Sequence, residues 1–238
     1  MSKNILKIVA FFIIGMVGGI FADQIFWPYF VERPLFYQYS LEKNPVYLTE
    51  RKEITIEENT ALTGAVEKVE KTIIGVKTET KTGETLQGSG LIITSDGLIV
   101  TLAELVPQGS QFSFFVGETP AAFQILKRDL ENNLALVKVE EKNLATLGYA
   151  DLGKLRVGER VFLATAVFEG KTISQIVNEG IVKKIDEDFI TTNISEGDYS
   201  KGSPLFNIKG EVLGINTIDP KGNIIVIPIN IVKEFVGM

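Results

Sequence analysis

From Thr72 onward the chain is a succession of short segments rich in β-branched and aromatic residues, each closed by a turn signal. They read TIIGVKTET (72–80), LIIT (91–94), LIVT (98–101), FSFFV (112–116), LALVKV (134–139), VFLATA (161–166), FITTNI (189–194), VLGINTI (212–218) and NIIVIPI (223–229). Ser95-Asp96-Gly97 between LIIT and LIVT predicts a tight hairpin, and Lys209-Gly210 and Pro220-Lys221-Gly222-Asn223 predict two more. Gln87-Gly88-Ser89-Gly90 lacks the GK[ST] ending of a phosphate-binding loop and reads as turns at strand edges. Helix is scarce in this region: Ala61 to Lys71 spaces Leu62, Val66 and Val69 as one apolar stripe, and Asn230 to Val236 predicts a short closing helix. Many strands at regular spacing with so little helix predict an all-β sandwich or a pair of barrels.

The N-terminus is of another kind. Ile8 to Ala22 contains no charged residue, and as a helix Ile5 to Ala22 spans about 27 Å, close to the hydrocarbon thickness of a bilayer. Phe26, Trp27, Tyr29 and Phe30 then supply aromatics suited to an interface. We expect a cytoplasmic stub at 1–4, a transmembrane signal-anchor at 5–26, an extracytoplasmic linker at 27–60 and a folded domain at 61–238. Within the domain, barrel one covers about 70–150, barrel two about 151–228 and the closing helix 229–236. Lys3 and Lys7 before the uncharged run place the N-terminus in the cytoplasm by the positive-inside bias. Secretion after cleavage is the alternative, but Ile20 at the −3 position makes Ala22 a poor cleavage site. Gly15 and Gly19 form one weak helix-pairing motif. The linker carries Pro34, Pro45 and a charged run, with one strand expected at Ile54–Ile56.

Composition removes several function classes. The chain has no cysteine and no histidine, which excludes thiol nucleophiles, thiolate and histidine metal sites, and every serine–histidine or cysteine–histidine couple. A formal charge of −6 argues against nucleic acid as a partner. The acidic run Asp186-Glu187-Asp188 has no calcium-loop spacing and reads as a solvated turn, so no metal and no cofactor is expected.

Gly88-Ser89-Gly90-Leu91-Ile92-Ile93 followed by Ser95-Asp96-Gly97-Leu98-Ile99-Val100-Thr101 resembles the first barrel of trypsin-like serine proteases of the Deg/HtrA group. Asn133 to Val139 is similar to that family's aspartate-bearing strand, and Leu155 to Val161 to the lead-in of its second barrel. Gly202-Ser203-Pro204-Leu205-Phe206-Asn207 through Asn216 is the most alike. The resemblance implies two six-stranded-type β-barrels of the trypsin-like fold over residues 61–238, with no room for a following PDZ domain. It also implies that Glu104 stands at the histidine position, Asn133 at the aspartate and Lys201 at the serine.

A glutamate is a far weaker base than imidazole at neutral pH, and a lysine cannot form the acyl ester that a serine forms. The resemblance therefore leads us to expect a homologue without its triad: no enzyme, but a membrane-anchored module for peptide or protein binding. Tyr199, Ser200 and Lys201 stand at the oxyanion loop, with Tyr199 in place of a glycine. The substrate edge is expected at Asn223, Ile224, Ile225 and Val226, within Gly222 to Ile227. Glu104 and Lys201 are expected to meet as an ion pair beside Asn133. Two alternatives remain open: a serine endopeptidase with displaced chemistry at Ser200 or Ser203 beside Lys201, and a structural envelope component. Family resemblance also implies a homo-oligomer, a trimer.

Overall fold

The computed structural model describes residues 2–31, 58–170, 172–219 and 222–238. The chain divides into two units, Met1–Ile54 and Thr55–Met238. In the first, helix α1 (Ser2–Phe21) continues into a π-helical stretch, Ala22–Val31. Asn4–Trp27 is long and apolar enough to cross a membrane, with mean hydropathy 2.4 and none of its most apolar window buried. An export signal passes the same test. The strand expected at Ile54–Ile56 lies outside the described residues.

The second unit opens with α2 (Glu58–Val69), which starts three residues earlier and ends two earlier than its apolar stripe predicts. Ala65 and Val69 bury against the first core. Seven strands follow: β1 (Ile73–Glu79), β2 (Thr85–Ile92), β3 (Leu98–Leu102), β4 (Gln111–Val116), β5 (Thr119–Ala121), β6 (Phe123–Asp129) and β7 (Leu134–Val139). They form one antiparallel sheet in the order β5-β4-β1-β2-β3-β7-β6. Its two outermost strands are separated in sequence by Ala122 alone, so the sheet curls until its ends meet. β5 and β6 act as one bent strand that pairs with β4 at one end and β7 at the other, Phe114 opposite Ala121 and Phe123 opposite Val139. The Ala122 carbonyl accepts from Glu140 N–H at the junction. That bend makes seven segments into a six-stranded-type wall.

The β2–β3 hairpin turns where predicted, with Gly97 at φ +99°, a conformation that costs a side chain dearly. Asp96 closes it through the Lys138 ammonium and then Thr94, which hold its carboxyl below the ordinary range.

The remaining strands are β8 (Arg160–Glu169), β9 (Thr172–Ile185), β10 (Ile190–Thr192), β11 (Pro204–Asn207), β12 (Val212–Ile218) and β13 (Ile224–Pro228). They close into a barrel, β10-β13-β12-β11-β8-β9. Alternation along β8 divides the packing: Val161 and Leu163 face the barrel core with Leu205, Leu213 and Val226. Phe162, Ala164 and Ala166 face the other way, into the core shared with the first sheet. Helix α3 (Ile229–Val236) buries Ile229, Val232 and Phe235 on one side and seals that shared core.

One reading from sequence is corrected here. Gln87-Gly88-Ser89-Gly90 is not a set of turns but the middle of β2, paired residue by residue with Ile74 to Lys77. Asp186-Glu187-Asp188 does sit on an exposed turn, between β9 and β10.

Candidate functional site

Glu104 lies in the single helical turn Ala103–Leu105 that ends β3. Asn133 precedes β7 with φ +54°, a left-handed conformation that asparagine tolerates better than most residues. The Asn133 carbonyl accepts from Ala103 N–H at 3.0 Å, and its side-chain Oδ1 accepts from Glu104 N–H at 3.0 Å. Both bonds fix the turn that carries Glu104. Asn133 Nδ2 donates to Glu104 Oε1 at 2.7 Å, and Thr217 Oγ1 on β12 donates to the same oxygen at 3.3 Å.

The other oxygen meets the second half of the domain. Lys201 Nζ lies 3.0 Å from Glu104 Oε2 and 3.5 Å from Asp198 Oδ1. The structure thus brings Glu104, Asn133 and Lys201 together across the seam between sheet and barrel. Burial alone would lower the Lys201 pKa, but the Glu104 carboxylate and then Asp198 outweigh it and hold the ammonium above its ordinary value. It is a fixed cation, not a poised base.

The loop before Lys201 is wound into one tight turn, Asp198–Ser200. Its main chain is satisfied internally: Ser200 N–H donates to Gly197 O at 3.0 Å and Lys201 N–H to Asp198 O at 3.1 Å. An amide bonded this way is not presented to a developing oxyanion. Tyr199 is partly exposed, and its hydroxyl donates to Glu196, which raises the phenol's pKa. Neither neighbouring serine reaches the cleft. Ser200 and Ser203 are each 0% exposed. Ser200 Oγ donates to Gly197 O at 2.8 Å, and Ser203 Oγ donates to Thr165 Oγ1 at 2.8 Å, deep in the seam.

Two openings flank this cluster. One, about 280 Å³, is lined by Glu84, Gln87, Glu104, Tyr199 and Lys201 among others. The second, about 510 Å³, lies beside Asn133, Thr217 and Ile218, with Phe189 and Ile231 on its walls. Among the described residues no group of carboxylates is arranged to hold a metal.

The substrate edge expected at Asn223, Ile224, Ile225 and Val226 is corrected by the ladder. Ile225 and Val226 pair with β12 on one side and β10 on the other, and Ile224 with Ile218. Asn223 belongs to the turn, where its amide groups bond the Asp219 carboxylate. The open edge is one strand over. Asn216 N–H donates to Ser203 O, and its carbonyl accepts from Gly202 N–H, both on the β11 side. Asp219 N–H turns the other way, to Asn223 O. Alternation therefore points the Ile218 main chain to the β11 side, past Pro204 where β11 begins, so among the described residues no strand flanks it there. Hydropathy shows which residues form strands but not which side of a strand lacks a neighbour.

A family model for the trypsin-like peptidase domain matches residues 88–215, more than half of the chain. A probable periplasmic serine endoprotease, DegP-like, of Pseudomonas putida is 34% identical over 139 residues, covering 55% of this chain and 28% of the relative. The DegP-like protein of Rhizobium meliloti is 31% identical over 163 residues, covering 63% and 32%. The chain spans under a third of the length of these relatives. Among solved structures, a serine-to-alanine variant of the HtrA-type protease AlgW, solved with a tripeptide, matches the fold. It superposes with a TM-score of 0.64 at 22% identity, covering 74% of this chain and 62% of that one. These relatives are named as serine endoproteases, which points to enzymatic activity and overturns the expectation, drawn from three substituted positions, that the chain is no enzyme.

Proposed function

Because the chain belongs to the trypsin-like peptidase family, in its Deg/HtrA group, we propose that it is a membrane-anchored, extracytoplasmic domain that captures extended polypeptide at the seam between its two β structures. In this reading residues 5–26 span the membrane with the stub 1–4 in the cytoplasm, 27–60 form a tether, and 61–238 form the binding domain. The periplasmic naming of the relatives and the apolar Asn4–Trp27 helix support that placement. Glu104, Asn133 and Lys201 take the positions of histidine, aspartate and serine, and the domain assembles as a homo-oligomer.

The observation that carries the proposal is the Lys201–Glu104 pair at 3.0 Å, tied to Asn133 and Thr217. Its partners satisfy both Glu104 oxygens, so the cluster holds sheet and barrel in register while leaving the flanking openings free for a ligand. An extended segment laid along Ile218 would gain main-chain hydrogen bonds without needing a nucleophile. With no histidine in the chain, any bond cleavage here has to use a base other than imidazole.

The test is a peptide library presented to the full chain in lipid nanodiscs, with binding and cleavage read in one assay. Saturable binding of extended peptides, weakened by Ile218→Pro, is the expected result. Absence of binding across the library would sink the proposal. Cleavage lost on Glu104→Gln or Lys201→Met would assign the relatives' peptidase activity to those side chains.

A further inference from the structure

The opening beside Ile218 has a composition that selects among polypeptides. Its walls include Ile218, Ile227 and Ile231, with Ile227 buried and Phe189 partly exposed, while Glu131, Asp188 and Asp219 stand around it. Among the described residues no Lys or Arg lines it. Glu131 and Asp188 are exposed at the mouth. Asp219 accepts from Asn223 N at 2.8 Å and from Asn223 Nδ2 at 3.0 Å, bonds within its own turn. Across the cluster the smaller opening continues the same sign: Glu84 and Asp198 line it, and Lys201, the one cation lining it among the described residues, is already held by Glu104 and Asp198.

Resting on the reading that this seam captures polypeptide, we propose that its ligand is an extended segment in which apolar residues alternate with, or are flanked by, lysine and arginine. The apolar side chains would fill the pocket between Phe189 and Ile231. The basic ones would reach Glu131 and Asp188 at the rim, and the segment's main chain would pair with Ile218. Side chains of an extended segment alternate faces, so one strand can meet both requirements at once. Complementary charge sets partner choice and encounter rate more than final affinity, which makes salt dependence the diagnostic property.

Three fluorescent peptides of one length, alternating isoleucine with lysine, glutamine or glutamate, would be titrated against the full chain in zwitterionic nanodiscs. At about 50 mM salt the lysine peptide should bind roughly tenfold tighter than the glutamate peptide, and the gap should close at about 500 mM. The double variant Glu131→Gln/Asp188→Asn should narrow that gap. Glu131→Lys/Asp188→Lys should invert it, with the fold of each variant checked by circular dichroism. Equal binding of the three peptides, or an unchanged gap in both double variants, overturns this inference while leaving polypeptide capture standing. Failure of every peptide to bind overturns both. Concentration-dependent self-association that the double variants abolish, without peptide binding, would show that a second copy of the chain occupies the groove instead, and also overturns it.

Discussion

Ser89 N–H donates to the carbonyl of Lys201 at 2.9 Å, so the middle of β2 holds the loop of the barrel by its main chain. The contact joins residues more than a hundred positions apart and sets where the Lys201 side chain can reach. It also explains two glycines. A Cβ on Gly88 would lie 2.5 Å from Lys201 O and 2.6 Å from Leu105 Cδ1, and one on Gly202 would run into Ser89 O. Gly202 has φ +76° as well.

Gly88→Ala is therefore expected to lower stability by about 1–3 kcal/mol, and Gly202→Ala by more, because the positive φ there strains any side chain in addition to the backbone clash. Each should drop the melting temperature by several degrees. Gly148→Ala, where an added carbon meets no atom within 4 Å, is the control expected to be near neutral. Thermal unfolding of the three variants measures this, and a silent Gly88→Ala would show that the loop is not clamped.

A second prediction concerns the hydroxyls behind that clamp. Ser89 Oγ accepts from Ala166 N–H at 2.9 Å and lies 3.2 Å from Ser203 Oγ, whose own hydrogen goes to Thr165, all in the buried seam. Ser89→Ala leaves the Ala166 amide without this acceptor and should cost about 1–3 kcal/mol. Ser203→Ala leaves that amide bonded and should cost less. Denaturant unfolding with an unchanged m-value would isolate the effect, and reversed ranking of the two variants would count against it.

These contacts show where sequence reading stops. The strands with dense β-branched residues, such as Leu134–Val139 and Val212–Ile218, are legible because alternation is local. β6 (FQILKRD) and the outer half of β9 are less so, since their solvent face interleaves Gln, Lys, Arg and Glu. β5 carries Pro120, which suits only an edge. Gly88 and Gly90 read as turns because glycine usually marks one, whereas here Gly88 admits the Lys201 loop and Gly90 lies close under Val100 O. The pairing of Glu104 with Lys201 followed from family resemblance, but Thr217 as a further partner of Glu104 did not. Nothing in a threonine on a strand signals what its hydroxyl faces.

The proposed membrane span makes a third prediction. Ile13→Lys places a charge near the middle of Asn4–Trp27, where insertion costs about 2.5–3.5 kcal/mol per residue. The variant should shift from the membrane fraction to the alkaline-extractable fraction, while Ile13→Leu should not. Retention of Ile13→Lys in the membrane would mean that another part of the chain holds it there.

The ion pair makes the fourth. Glu104 retains Asn133 and Thr217 if Lys201 is removed, whereas among the described residues Lys201 retains Asp198 at 3.5 Å if Glu104 is neutralised. Glu104→Gln should therefore destabilise more than Lys201→Met. Side-chain exposures of 23% for Lys201 and 36% for Glu104 keep the coupling in a double-mutant cycle small, about 0.5–1 kcal/mol. The pH dependence has a definite sign. The folded-state pKa of Lys201 is raised above its ordinary 10.5, so its contribution is complete below that value. It is lost as pH rises above 10.5 through the folded-state value, because the unfolded chain releases the proton first. Stability measured by chemical denaturation between pH 9 and the alkaline limit, about 12, should fall less steeply in Lys201→Met than in the parent. Identical slopes would mean that the ammonium gains nothing from Glu104, and the shared apolar core with the Ser89 hydrogen bonds would then account for the seam.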